Sequence, residues 1–153
     1  MKVHNRSGFT LLEIIIVVII IGVLASLALP RMFATVEYSR STEALSAFAT
    51  IRSALERCYL MNNGSYENCE LETGGDNTLD IPDPADSPNA HFKYSVSSSD
   101  GTDYTILAQR NNIDGGNETD LIGMNLTGQT LTRAGNGAYS AIGNSNATWL
   151  TTF

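Results

Sequence analysis

Glu13 is the residue whose chemistry is hardest to accommodate in this chain. It follows Gly8-Phe9-Thr10-Leu11-Leu12 and precedes an apolar run, 14–29, that Pro30 closes, so residues 9–29 carry a single charge. A helix of about 20 apolar residues crosses roughly 30 Å of hydrocarbon. A carboxylate at mid-bilayer costs about 2.5 to 3.5 kcal/mol on insertion scales, and less near the interface where Glu13 would start. A cut after Gly8 would supply a cation, because it frees an α-amine on Phe9 four residues before Glu13. That spacing suits charge neutralisation. A solvated Glu13 at headgroup depth would need no partner, and the residues alone leave both readings open.

Other residue types with chemistry to offer are sparse. Cys58 and Cys69 stand eleven positions apart, and a disulfide between them would stabilise by about 3 kcal/mol in the chain-entropy model; two unpaired buried thiols are the alternative. No C-x-x-C, C-x-x-C-H or His-rich cluster is present, so zinc, haem and thioredoxin-like chemistry have no support. The loop Asn112-Ile113-Asp114-Gly115-Gly116-Asn117-Glu118-Thr119-Asp120 offers oxygen ligands for calcium, with Asp114 and Asp120 as the candidates, but its spacing is not that of an EF-hand. Acidic Gly-rich turns are usually only turns, and no other cofactor is expected. Asn63, Asn117, Asn125 and Asn146 begin Asn-x-Ser/Thr triplets, which arise readily by chance in an Asn- and Thr-rich chain. His4 and His91 have no readable nucleophile partner and there is no G-x-S-x-G, so the chain is not expected to be an enzyme.

The elements that position these residues follow from periodicity. Residues 1–8 form a charged leader whose Lys2 and Arg6 mark the cytoplasmic side. Residues 9–30 read as a transmembrane or filament-core helix with a kink or melted stretch between Gly22 and Pro30, since proline lacks a donor and disfavours helix at Leu29. Residues 31–63 read as an amphipathic helix half: Phe33, Val36, Ala44, Ala47, Phe48, Ile51, Ala54, Leu55, Cys58 and Tyr59 recur every three or four positions. The opposite row holds Arg31, Glu37, Arg40, Glu43, Arg52, Glu56 and Arg57 and reads as solvated. Asn62-Asn63-Gly64 ends the helix, with Gly64 suited to the left-handed cap.

Residues 64–153 read as a loop and an antiparallel β-sheet head. Gly, Asp and Pro fill 65–90, and strand patterns follow at 92–96, 104–108, 121–126 and 129–132, with turns at Ser98-Ser99-Asp100-Gly101 and Thr127-Gly128. The sheet would lay one face on the amphipathic helix, giving an α+β fold. The tail, 134–153, is rich in Gly, Asn, Ser and Thr, with Tyr139, Trp149 and Phe153 as anchors.

Gly8-Phe9-Thr10-Leu11-Leu12-Glu13, behind a leader with Lys2, His4 and Arg6 and before Gly22-Val23-Leu24-Ala25-Ser26-Leu27-Ala28-Leu29-Pro30, resembles the class III signal of type IV prepilins and type II secretion pseudopilins. The resemblance covers about the first fifth of the chain. It implies a type IV pilin-like fold, cleavage between Gly8 and Phe9 by a prepilin peptidase, N-methylation of Phe9, and pairing of Glu13 with the amine of a neighbouring subunit. It also favours lost helicity between Gly22 and Pro30 on assembly. An ordinary secretory signal ending at Ser26-Leu27-Ala28 is the competitor, and an acid in the first turn of its apolar core argues against it.

The implied partners are further copies of the chain in a helical homopolymer, the peptidase, an inner-membrane assembly machinery and the membrane itself before assembly. With 9 basic and 16 acidic side chains, the chain is not expected to bind nucleic acid through its phosphates. The expected function is a structural subunit of a type IV pilus, held in the inner membrane as a precursor and then part of an extracellular filament. A periplasmic pseudopilin of type II secretion is the alternative, and a membrane-anchored or secreted binding module is the rival from another class.

Overall fold

The computed structural model describes residues 9–98 and 101–153. Lys2, His4, Arg6 and Gly8 of the leader, and Ser99 and Asp100 of the expected turn, lie outside the described residues. The chain divides into two compact units, Met1–Val36 and Glu37–Phe153. A single helix, α1 (Leu11–Met61), contributes to both. It is followed by five strands: β1 (Leu71–Glu72), β2 (Phe92–Ser97), β3 (Tyr104–Arg110), β4 (Leu121–Thr127) and β5 (Thr130–Gly135).

In the first unit, Thr10 caps α1: its Oγ1 accepts from the Glu13 amide at 3.3 Å. Glu13 therefore sits in the first turn, where the exposed amides and the helix dipole favour an anion. Every described residue of 9–36 is exposed, including eighteen large apolar side chains. By length and composition this part of α1 can cross a membrane.

In the single chain α1 is continuous through Gly22 and Pro30, with no melted stretch between them. Proline removes one amide from the helical ladder, and Leu27, Ala28, Leu29 and Met32 around it are good helix formers. The boundary drawn at 30/31 is accordingly not a boundary of secondary structure.

In the second unit, α1 buries Ser41, Ala44, Phe48, Ile51, Ala54 and Leu55, the three- and four-residue spacing of one face. Phe33 and Val36, assigned to that face from the sequence, belong to the exposed first unit. The helix ends at Met61, where Asn63 and Gly64 both take left-handed conformations and the Gly64 amide donates to Tyr59 O at 2.9 Å.

The strands form an antiparallel meander in the order β1-β2-β3-β4-β5. Their inner face presents Phe92, Tyr94, Val96, Tyr104, Ile106, Ala108, Ile122 and Met124 to the core that includes the α1 face. Gly128 and Gln129, both at positive φ, make the two-residue turn between β4 and β5. β1 lies in the stretch read as loop; at two residues it is too short to show alternation, yet Leu71 is fully buried and pairs with Val96.

The tail is ordered by packing. Tyr139 is fully buried, and Trp149 and Leu150 cover the outer face of the sheet at Gly123. A Cβ on Gly123 would lie 2.9 Å from Leu150 Cδ1 and closer still to the Trp149 ring, so any other residue here would have to displace the tips of the tail's two side chains.

Candidate functional site

Two sets of residues concern function, one in each unit. The first is the exposed stem. Glu13 and Arg31 are the charged side chains among its described residues, and neither makes an ion pair with another described residue. Phe9 is exposed immediately ahead of the Thr10 cap. Gly8, the other side of the expected cut, lies outside the described residues.

The second set is a buried ionic hub. Arg110 ends β3 with its side chain fully inaccessible, and its Nε donates to Glu37 Oε1 at 2.6 Å. The same guanidinium donates to His91 O at 3.1 Å, Asn111 O at 2.9 Å, Asn111 Oδ1 at 2.8 Å and Ile113 O at 2.9 Å. All three of its nitrogens are thus engaged, and Phe92 faces it at 6.0 Å. Glu37 also accepts from the Tyr139 hydroxyl at 2.6 Å and from Arg40 at 2.9 Å.

A second tier continues from Arg40 to Asp114 Oδ2 (3.4 Å), from Asp114 to His91 Nε2 (3.3 Å), and from His91 Nδ1 to Glu43 Oε2 (2.8 Å). Gly116 leaves room for Arg110, since a Cβ there would fall on Asn111 O and the guanidinium.

Electrostatics follow from this geometry. Burial opposes ionisation of Glu37, but the hydrogen bonds from Arg110 and Tyr139 and the charges of Arg110 and Arg40 outweigh it and hold the carboxyl below its usual range. Burial, then the hydrogen bond to the Glu37 carboxylate, pushes the Tyr139 hydroxyl well up, so it stays a donor. Burial also raises Asp120, against the Ala138 amide that favours its anion. The hub locks one turn of α1 to the end of the sheet; it has no open coordination position and no nucleophile.

The charge row of Glu37, Arg40 and Glu43 reads as solvated in the sequence, and the structure turns these residues toward the end of β3, the turn after it and the segment before β2. The missed signal was in β3: Tyr104, Ile106, Ala108 and Arg110 share one face by strand alternation, which aims an arginine at the core. Arg52 and Glu56 do sit on the solvated side, 3.8 Å apart.

The calcium candidates are not brought together. Asp114 is engaged by Arg40 and His91, while Asp120 faces the Ala138 amide, and no group of three metal-ligating side chains converges among the described residues. Cys58 and Cys69 are bonded, with Cα atoms 6.0 Å apart, tying the last turn of α1 to the approach to β1.

Comparison with known proteins agrees with this anatomy. Residues 3–29 match the family model described as "Prokaryotic N-terminal methylation motif", and residues 30–120 match "Type IV minor pilin ComP, DNA uptake sequence receptor". The type II secretion system core protein G of Pectobacterium carotovorum subsp. carotovorum is 33% identical over 107 residues, covering 68% of each chain. That of Aeromonas hydrophila is 33% identical over 91 residues, covering 60% of this chain and 62% of its own. The type IV major fimbrial protein FimA of Dichelobacter nodosus is 37% identical over 75 residues, 49% of this chain and 47% of its own. This chain therefore spans between about half and two thirds of the length of these relatives. No solved structure matches. A methylation-motif stem, an α+β head and a family model covering more than half of the sequence together establish that the chain belongs to the type IV pilin and pseudopilin family, whose members are structural subunits and not enzymes.

Proposed function

We propose that this chain is a structural subunit of a type IV pilus that polymerises through its N-terminal helix. Residues 1–8 serve as leader, 9–30 as membrane and then filament-core segment, 31–63 as the helix half carrying the head, and 64–153 as the rest of the head. Prepilin peptidase cuts between Gly8 and Phe9, and Phe9 is methylated. The precursor stands in the inner membrane, from which an assembly machinery extracts it into an extracellular filament.

The observation that carries this reading is the stem: eighteen large apolar side chains exposed in one chain. At about 1.5–3 kcal/mol for each such side chain removed from water, exposure of this extent requires either lipid or other stems. In a water-excluded bundle of stems, Glu13 is costly unless a cation meets it, and the Phe9 amine of a neighbour supplies one.

Glu13→Val tests this. The variant should be processed and held in the membrane at the parent level, while sheared filaments seen by electron microscopy fall sharply; normal filaments would refute the pairing. Mass spectrometry of the filament subunit should find a methylated Phe9 at its N-terminus.

A pseudopilin of type II secretion is the second reading, favoured by the two core protein G relatives. Imaging separates them, since pili extend from the cell surface and pseudopili stay within the periplasm. DNA binding, named in the matching family description, has little physical support in this chain. Glu37–Phe153 carries six basic against fifteen acidic side chains, and four of the six basic ones are engaged by carboxylates.

A further inference from the structure

We propose that the head carries a thiol-modification site at Cys58: a small thiolate enters the groove beside the end of α1, bonds to Cys58 Sγ and displaces Cys69 as the leaving sulfur. The inference stands on the head by itself and is independent of the filament reading.

The two sulfurs of the disulfide differ in both respects that govern exchange, access and leaving ability. Cys69 is fully buried in the core that holds Tyr66 and Leu71. Cys58 is half-buried and lines a groove of about 220 Å³ together with Ala54, Arg57, Met61, Asn68 and Asp80. A thiolate therefore reaches Cys58 through the groove, while Cys69 lies behind it. Arg57 supplies a cation on that path. Its pair with Asp80 is long, at 3.8 Å between exposed side chains, and its other partners, Ser53 O and Asp80 O at 3.3 Å, are neutral carbonyls. Its charge is thus left to attract an anion.

Leaving ability points the same way. Cys58 lies in the last turn of α1, where unpaired carbonyls and the helix dipole disfavour a thiolate. Cys69 lies beyond the helix. The Asn62 side-chain amide stands 3.5 Å from both sulfurs, so a donor is already in place for charge that collects on Cys69 Sγ.

The electron pair of the incoming thiolate forms the new S–S bond with Cys58, and the pair of the old bond stays on Cys69 Sγ, which then takes a proton from water. The exchange involves no net oxidation or reduction. The segment that carries Cys69 keeps other ties after exchange: Asn62 Nδ2 donates to Glu67 O at 3.0 Å, the Tyr66 amide donates to Gly101 O at 2.7 Å, and the Tyr59 and Tyr66 rings pack at 4.6 Å. Cys69 therefore stays close enough to attack the adduct and expel the small thiol, which makes the modification reversible.

The full chain in detergent, incubated with reduced glutathione, quenched with N-ethylmaleimide and digested for mass spectrometry, should carry glutathione on Cys58 and maleimide on Cys69. The reverse pattern should be about tenfold rarer or less. Glutathione is anionic and cysteamine cationic, so Arg57→Glu should slow exchange with the first by about tenfold and leave the second no slower, at an unchanged Tm. Glutathione found on Cys69, or on both sulfurs equally, would overturn the site. So would an exchange rate that tracks global unfolding in urea and is the same for both thiols in Arg57→Glu as in the parent.

Discussion

Removing Arg110 is the sharpest test of how the head is held together. Arg110→Met keeps an unbranched side chain of similar reach but leaves Glu37 Oε1 with only the Tyr139 hydroxyl, and it strips donors from His91 O, Asn111 O and Ile113 O. Breaking a buried pair by deleting one partner costs about 3–5 kcal/mol. Glu37 retains Arg40 and its side chain is 21% exposed, so water and the second arginine reduce that to about 2–3 kcal/mol. For a domain of roughly a hundred residues, this lowers Tm by about 10 °C. The assay is thermal unfolding of the full chain in detergent, followed by near-ultraviolet circular dichroism. Adding Glu37→Gln to Arg110→Met should recover part of the loss, because no anion is then left short of partners. A Tm within about 2 °C of the parent, or a double variant no better than the single one, would refute the hub as a stabilising element.

Two further outcomes follow from the head. Replacing the disulfide by Cys58→Ala with Cys69→Ala should cost about 3 kcal/mol, and adding reductant to the parent should give the same Tm shift while leaving the variant unchanged. Acid should weaken the head through Glu37. Its folded carboxyl ionises more readily than the ordinary value of 4.5, so its contribution is complete above that value and is lost as pH falls through the lower folded value. Urea midpoints measured from pH 7 downward should decline below about pH 4.5 in the parent, and less steeply in Glu37→Gln.

Much of the architecture was legible along the chain. The strand alternation at β2 and the three- and four-residue spacing from Ala44 onward describe apolar faces. Burial of such faces is dictated by side-chain type, which needs no knowledge of the partner. The Asn63-Gly64 stop was readable for a related reason, since Gly and Asn tolerate positive φ, whereas the turn expected at Thr127-Gly128 lies one residue further on, at Gly128-Gln129, because nothing in a glutamine announces positive φ. The elements that escaped are those whose stability is not local. β1 is two residues long and exists because Val96 and Ser95 offer a ladder and Cys58 holds Cys69 nearby. The tail has no period, and its order comes from the space above Gly123 and the pocket that takes Tyr139.

The stem was legible in residue order: a match to the N-terminal methylation motif, a span of apolar residues and the placement of Glu13, because whether a helix can cross hydrocarbon depends on its composition and length. The fate of the charges beyond the stem depends instead on how the head folds. A helical row of Glu37, Arg40 and Glu43 looks solvated until a sheet folds against it. The arginine at the end of β3 then meets Glu37, because a buried guanidinium takes whichever carboxylate and carbonyls the fold brings within hydrogen-bond reach.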